Sequence, residues 1–359
     1  MEQNSRDREG GLQEEECSPS LWNRYNLPTM TITLRSFAKI NLGLCIGPLR
    51  ADGFHELRTV YQTIALHDLV HVRIARGEGI EIRCADPRVP LDSSNTCFRI
   101  AERVMAALGA KGRAVIEIEK RLPVQGGLGG ASANGVAAML GLQRALKKQL
   151  TGTEQWRIAA EVGSDLPLFL IGGTVLGIER GEEVYPLPDF PATPCVIAVP
   201  EIGISTPRAF ADWDLRISTN ALTQRDPSHR IKKFGHELSA WLSSQGLGSK
   251  SGPVSGAPAL RRGRVGNPLL NLVQAGIAND FEQVVFPQHP ELFEVKCLLE
   301  QSGAKYASLS GSGSTVYGLF GSRAAAEKAA RSLKKRGIPA HVTSTLTRAG
   351  YWKRVWVQG

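Results

Sequence analysis

Residues 123–134 have the sequence PVQGGLGGASAN, in which four of the five positions from 126 to 130 are glycine. Glycine lets a backbone approach phosphate oxygens, and the free N–H groups at the start of a following helix favour an anion. Val136, Met139 and Leu146 fall on one helical face, so we expect the turn to open directly into a helix. The stretch lacks the ending of a Walker A loop and the later acid of a dinucleotide fold. It predicts another kind of nucleotide-phosphate loop, although a plain tight turn could have this composition.

The chain has 359 residues, of which 42% are hydrophobic and 21% charged. This length suits two domains with a cleft between them, which would accommodate two substrates. The apolar stretches end well before the roughly 20 residues that a membrane span requires. Residues 1–29 lack the basic and apolar regions of a secretory signal. We therefore expect a cytoplasmic protein without membrane segments.

The chain has a formal net charge of +9 and six cysteines at long intervals. Without a Cys-x-x-Cys pair or a Cys/His cluster, the cysteines do not indicate a zinc or redox site. The positive charge suits a nucleic-acid surface or a cleft for an anionic substrate, and it could equally lie on solvated faces. Composition does not distinguish these possibilities.

The order of predicted elements in the first half is that of an α+β protein. Alternating apolar residues predict strands at 30–38, 42–46, 70–74, 80–83 and 114–119, an apolar stretch at 60–66 and a hairpin of 175–178 with 183–185. Helices are predicted at 94–108 and 153–162. We expect residues 30–194 to form the first domain, and residues 1–29 to be a disordered leader or a mis-annotated start.

A second domain is expected over residues 195–359. Its predicted elements are strands at 196–200, 307–310, 315–320 and near 341, with helices near 269–283, at 290–302 and at 322–336. This order suits a ferredoxin-like sheet with helices on one face. Residues near 246–267 are rich in Gly, Ser, Pro and Arg, and we expect them to form a mobile insertion.

Four further segments accompany the glycine-rich loop: SFAKINL at 36–42, ADGFHEL at 51–57, VGSDLPLF at 162–169 and LSGSGST at 309–315. By these motifs the chain resembles the GHMP kinases, the superfamily of galactokinase, homoserine kinase, mevalonate kinase and phosphomevalonate kinase. Within it, the chain is similar to the 4-diphosphocytidyl-2-C-methyl-D-erythritol kinase family. The resemblance implies an N-terminal, ribosomal-protein-like α/β domain that binds ATP and has a left-handed crossover. It also implies a C-terminal ferredoxin-like domain.

The resemblance implies transfer of the γ-phosphoryl group of ATP, with Mg²⁺, to the 2-hydroxyl of 4-diphosphocytidyl-2-C-methyl-D-erythritol in the non-mevalonate isoprenoid pathway. The partner would be this small molecule, not nucleic acid or a membrane, and the enzyme a monomer or weak homodimer. Two alternatives stay open. A sister kinase acting on homoserine or a mevalonate would lack the Asp-Gly-Phe-His of residues 52–55. A basic nucleic-acid-binding module would instead explain the charge.

Lys39 and Asp165 are the catalytic residues that the resemblance implies. Phosphoryl transfer to an alcohol requires alignment of the hydroxyl, orientation or removal of its proton, and stabilisation of charge on the phosphoryl oxygens. Asp165 would act as the base, and Lys39 would keep it ionised and favour the developing alkoxide. On sequence alone, Asp165 could instead cap the following helix and Lys39 could be a surface lysine.

The other site residues are also implied by the resemblance. ATP would be bound by Pro123, Gln125, Gly126, Gly127, Leu128, Gly129, Gly130, Ala131 and Ser132, with Asn95 and Lys120 on the adenine side. The acceptor would be bound by Asn41, Phe54, His55 and Phe210. The two phenylalanines would enclose cytosine and His55 would contact its edge, with core packing as the alternative. Asn95 could be a helix N-cap and Lys120 a solvated strand end. Gln125 replaces the usual glycine and would narrow the phosphate channel. No metal ligand is assigned directly.

Overall fold

Two β-sheets and their surrounding helices make up the computed structural model, which describes residues 30–124, 126–219, 227–246, 269–270, 273 and 277–357. The leader at 1–29, Gln125 and residues 247–267 of the expected insertion lie outside these ranges. Gly246, the first residue of that expected insertion, is instead the last residue of a helix. None of the helices within the described ranges is long and apolar enough to cross a membrane.

The first sheet contains β1 (Ile32–Leu49), β2 (His55–Ala75), β3 (Ile80–Cys84), β4 (Arg113–Glu119), β5 (Thr174–Ile178) and β6 (Glu183–Pro186). Strand β2 pairs antiparallel with β1, β4 and β5, and β6 extends the sheet from β5. Strands β3 and β4 are parallel neighbours joined through α1 (Thr96–Ala107). The mixed sheet confirms the predicted α+β class.

Strand β1 is continuous where the sequence predicted two strands with a break at 39–41. The pairing with β2 shifts register between Phe37 and Lys39 and again between Asn41 and Gly43. Such irregularities interrupt the alternation without ending the strand, and they re-aim side chains. Strand β2 is also continuous, whereas the sequence predicted an apolar stretch at 60–66 separate from a strand at 70–74. The same irregularities explain this difference.

Helices cover one face of the first sheet. They are α1, α2 (Gly130–Leu146), α3 (Gly152–Val162) and α4 (Leu166–Ile171), joined by the C-terminal α10 (Arg348–Val355). Helix α2 begins at Gly130, as the glycine-rich loop predicted. Helix α4 was not predicted, because its six residues are too few and too uniformly apolar to show a helical period. Tyr351 of α10 donates a hydrogen bond to the Phe169 carbonyl at 2.8 Å, which fixes the end of α4.

The second sheet contains β7 (Pro194–Ala198), β8 (Tyr306–Leu309), β9 (Val316–Leu319) and β10 (Ala340–Ser344) in the order β10–β7–β9–β8, with all neighbours antiparallel. Its helices are α5 (Thr206–Thr219), α6 (Pro227–Gly246), α7 (Glu282–Gln288), α8 (Pro290–Gln301) and α9 (Arg323–Lys335). This strand order, with helices between β7 and β8 and between β9 and β10, is ferredoxin-like, as predicted.

The bounds of one helix predicted in the second half are wrong. A helix was expected near 269–283, and residues 269, 270 and 273 are helical, but residues 277–281 are not and α7 begins only at Glu282. Residues 278–280 run beside β1 instead: the Leu44 N–H donates to the Ala278 carbonyl and the Asp280 N–H donates to the Leu44 carbonyl, both at 2.9 Å. This long-range pairing overrides the local helical preference. Helices α5 and α6 were not predicted at all.

The two sheets pack on each other through an apolar layer in which Ile40 and Leu42 of β1 join Tyr317 and Leu319 of β9. Each of these side chains is completely buried. The Tyr317 hydroxyl crosses the layer and donates a hydrogen bond to the Asn41 carbonyl at 2.9 Å. Strand β1 is therefore held from both sides at the residues that carry the site.

We expect Tyr317→Phe to lower the free energy of unfolding by about 1 to 2 kcal/mol, because the buried Asn41 carbonyl loses a donor. Urea denaturation followed by circular dichroism measures this change. Tyr185→Phe is the matched control, since Tyr185 is exposed and its hydroxyl contacts only Glu183. If the two variants lose equal stability, this hydrogen bond does not contribute to the packing of the sheets.

Candidate active site

Lys39 is a buried lysine on β1 with 4% of its surface exposed, so it is not a surface residue. Its Nζ donates to Asn41 Oδ1 at 2.7 Å and lies 3.3 Å from Asp165 Oδ2. Asp165 directly precedes α4, but its side chain makes no capping hydrogen bond, and about a third of it is exposed (32%). The two residues, far apart in sequence, thus form an ion pair that a ligand can reach.

Two side chains of β2 that the sequence analysis did not select complete this arrangement. The Tyr61 hydroxyl donates to Asp165 Oδ1 at 3.1 Å, and burial together with the Asp165 charge raises the pKa of Tyr61 well above its usual value. Tyr61 therefore remains a hydrogen-bond donor. Thr59 accepts a hydrogen bond from Asn41 Nδ2 at 2.8 Å, which turns Asn41 Oδ1 toward Lys39. Tyr61 is the cross-strand partner of Asn41, so the pairing register of β1 and β2 would have revealed Tyr61.

The glycine-rich loop packs between β1 and residues 310–315. Lys39 N donates to the Leu128 carbonyl at 3.0 Å, and the Ser310 hydroxyl donates to the Gly127 carbonyl at 3.0 Å. Gly127 and Gly129 have φ of 71° and 67°, and a Cβ at Gly127 would come within 2.1 Å of the Ser310 carbonyl oxygen. Both positions therefore require glycine.

Two cavities meet at this loop. The first, of about 350 Å³, is lined by Asn95, Lys120, Pro123 and loop residues 126–132. The second, of about 700 Å³, is lined by Lys39, Asn41, Phe54, His55, Asp165 and Phe210. The residues that line both are Gly127, Gly129 and Ser132. A ligand in one cavity would thus contact a ligand in the other beside Lys39 and Asp165.

Asn95 and Lys120 lie in the first cavity with their own protein partners. Asn95 is the N-cap of α1, as its alternative interpretation held, and accepts a hydrogen bond from Cys97 N at 2.8 Å. Lys120 is not a solvated strand end, because its side chain is only 10% exposed and pairs with buried Asp68 at 2.8 Å.

His55 and Phe210 lie side by side in the second cavity. Their rings are parallel within 4°, with centroids 5.4 Å apart. His55 Nδ1 donates to the Gly47 carbonyl at 3.0 Å, and Nε2 lies 3.1 Å from an Asp214 carboxylate oxygen. Sequence reasoning missed Asp214, which follows Phe210 by one turn on α5, because it did not find that helix.

Phe54 is 53% exposed, so core packing does not explain it. The Arg180 guanidinium lies over its ring, 5.2 Å from the centroid. Arg180 lines the second cavity from the turn between β5 and β6. No sequence pattern marked it, since it sits in a hairpin turn where charged residues are common.

Comparison with known proteins agrees with this geometry. Residues 95–173 match the family GHMP kinases N terminal domain, and residues 257–339 match GHMP kinases C terminal. The 4-diphosphocytidyl-2-C-methyl-D-erythritol kinase of Solibacter usitatus is 37% identical over 81% of this chain and 81% of its own. That of Acaryochloris marina is 34% identical over 84% of this chain and 91% of its own.

Solved structures show the same fold. A crystal structure of 4-(cytidine 5'-diphospho)-2C-methyl-D-erythritol kinase has a TM-score of 0.65 at 26% identity, covering 88% of this chain and 99% of that chain. Homoserine kinase from Cytophaga hutchinsonii has a TM-score of 0.64 at 22% identity, covering 88% of this chain and 95% of that one. With relatives above 30% identity along most of its length, the chain belongs to the 4-diphosphocytidyl-2-C-methyl-D-erythritol kinase family of GHMP kinases.

Proposed function

We propose that the protein transfers the γ-phosphoryl group of ATP to the 2-hydroxyl of 4-diphosphocytidyl-2-C-methyl-D-erythritol. The observation that carries the proposal is the meeting of two cavities at Gly127, Gly129 and Ser132, beside Lys39 and Asp165. ATP would occupy the first cavity, with its phosphates at the start of α2. The acceptor would occupy the second and present its hydroxyl at the shared residues.

In this mechanism the acceptor hydroxyl lies at Asp165. Its proton passes to the carboxylate as the oxygen–phosphorus bond forms, and the bond to the β-phosphate oxygen breaks to release ADP. Lys39 has three N–H donors, of which one is held by Asn41 and another faces Asp165. The third would stabilise charge on the acceptor oxygen or the transferred group.

The Ser132 hydroxyl at the boundary of the two cavities suits Mg²⁺. This ion is usually held by one or two carboxylates together with nucleotide phosphates and water. The described residues contain no cluster of three or more acidic, His or Cys side chains that could hold a metal ion. The Ser132 hydroxyl, which no described residue engages and which lines both cavities, is the group that would hold it beside the phosphates. Bound there, Mg²⁺ would offset phosphate charge.

The acceptor's cytosine would stack on Phe54 and Phe210. Since His55 and Phe210 are already in parallel contact, the base cannot lie between them and would use another face of Phe210. His55 Nδ1 is held by Gly47, so Nε2 is the nitrogen that would contact the edge of the base. Asp214 would have to release Nε2 for that contact.

Purified protein is expected to release ADP with 4-diphosphocytidyl-2-C-methyl-D-erythritol and not with homoserine or mevalonate. A coupled ADP-release assay with the three acceptors measures this difference. The likeness to homoserine kinase establishes only a shared fold, so the assay is needed to separate these activities. Turnover of homoserine or mevalonate in preference to the diphosphocytidyl compound would refute the proposed substrate.

Lys39→Ala and Asp165→Asn are each expected to lower kcat about 10²-fold or more, the scale for positioned acid–base and electrostatic groups. Steady-state kinetics on protein with a native circular dichroism spectrum measures the loss. Glu161→Gln is the control, because it breaks the exposed pair with Arg157 and lines neither cavity. Near wild-type kcat in either site variant would exclude that residue from catalysis.

Phe210→Ala is expected to weaken acceptor binding roughly 5- to 100-fold, because stacking on an aromatic ring contributes about 1 to 3 kcal/mol per base. ATP affinity should be unchanged, and calorimetry with each ligand measures both. Phe293→Ala removes an equally large ring, 50% exposed, that lines neither cavity. Equal acceptor affinities of the two variants would show that Phe210 does not stack on the base.

A further inference from the structure

Asp68 is a completely buried carboxylate on β2 that accepts four hydrogen bonds. Its Oδ1 accepts from the backbone N–H groups of Arg121 and Leu122, both at 2.7 Å. Its Oδ2 accepts from Lys120 Nζ at 2.8 Å and Asn134 Nδ2 at 3.0 Å. The two oxygens therefore have different roles: Oδ1 binds the backbone that leads into the glycine-rich loop, and Oδ2 binds the side chains of Lys120 and Asn134.

The ammonium of Lys120 lies against the first turn of α2. Its Nζ is 3.5 Å from the point that a Cβ on Gly130 would occupy, and the residue lines the first cavity. An ammonium has three N–H donors, and Asp68 is its only hydrogen-bond acceptor among the described residues. Two donors are therefore left for a ligand at the helix start, where the free N–H groups also favour an anion.

Asn134 is held by the same carboxylate oxygen. It lies on α2, is 3% exposed and lines the first cavity. Because a carboxylate only accepts hydrogen bonds, Nδ2 must face Asp68, which fixes the direction of Oδ1. That Oδ1 is buried and has no partner among the described residues. Asp68 is therefore the group that sets the orientation of this amide beside the first cavity.

We propose that Asp68 is the positioning residue of the nucleotide site, which it organises by holding the Lys120 ammonium and the Asn134 amide in place. The inference rests on the proposed function in assigning the first cavity to the nucleotide. Asp68 touches no ligand, since it is completely buried and lines neither cavity. It acts through Lys120 and Asn134, which both line the first cavity.

Asp68→Asn separates the two roles of the carboxylate. The amide oxygen can still accept from the backbone of residues 121 and 122, so the start of the loop is retained. The amide nitrogen, however, faces Lys120 Nζ, which only donates and must move away, and Asn134, which must turn its amide over to present Oδ1. The variant should therefore fold and bind the nucleotide poorly.

Calorimetry with ADP and steady-state kinetics with ATP test the proposal. We expect Asp68→Asn to raise the Kd for ADP and the KM for ATP about tenfold, within the usual range of coupling between contacting residues, with little change in the acceptor KM. Glu282→Gln is the matched control. Glu282 is mostly buried, pairs with Lys296 at 2.7 Å, accepts from Leu309 N at 2.9 Å and lines neither cavity.

A purely structural role predicts a different outcome. Asp68→Asn would then lower the urea midpoint as Glu282→Gln does, while ADP affinity stayed at the wild-type value. That result would overturn the proposal. Because ADP binding needs no acceptor, a wild-type protein that binds ADP but does not phosphorylate the diphosphocytidyl compound would refute the proposed substrate and leave the test of Asp68 intact.

A double-mutant cycle with Lys120→Met tests whether Asp68 acts through Lys120. The double variant Asp68→Asn/Lys120→Met removes both buried charges, and it serves if the single Asp68 variant does not fold. We expect its loss of ADP affinity to be smaller than the product of the two single losses, because Lys120, one of the two groups that Asp68 positions, is already gone. Losses that multiply fully in the double variant would mean that Asp68 does not act through Lys120, contrary to the proposal.

Discussion

The buried ammonium of Lys39 is the constraint around which the site is built. A cation removed from water must be compensated by acceptors and opposite charge. Here the compensation comes from three places: Asn41 on β1, Asp165 before α4 and the Tyr61 ring on β2, whose centroid lies 5.6 Å from Nζ. The backbone N–H of Lys39 also binds the glycine-rich loop. A single residue therefore connects the first sheet, the glycine-rich loop and the start of α4.

The same principle operates on the other side of the loop. Lys120 is also buried and compensated, in its case by Asp68. A Cβ on Gly129 would lie 3.0 Å from Lys39 Cγ, and one on Gly130 would lie 3.5 Å from Lys120 Nζ. Two lysines therefore flank the glycine-rich loop. The net charge of +9 did not point to them, because a sum over the whole chain does not locate individual charges.

Patterns among neighbouring residues predicted those elements that depend only on nearby sequence. The loop at 123–134 and helix α2 follow from glycine spacing and helical period, and the α+β class follows from the element order. The ion pair of Lys39 and Asp165 came from motif resemblance. Thr59, Tyr61 and Asp68 were missed because their roles depend on which residues face them across the sheet. Asp214 and Arg180 were missed because an unpredicted helix and a hairpin turn carry them to the cavity.

The boundary between the two cavities has a consequence for ligand design. Its shared lining is Gly127, Gly129 and Ser132, so the described wall consists of backbone and one hydroxymethyl group. A single molecule that joined a nucleoside-like part to a cytidine-like part would cross this boundary without displacing a large side chain. Its linker would have to be slender, since the Lys39 side chain lies close to Gly129 in this wall. Such a bisubstrate compound would bind more tightly than either half alone, because binding of one half raises the effective concentration of the other at its own cavity.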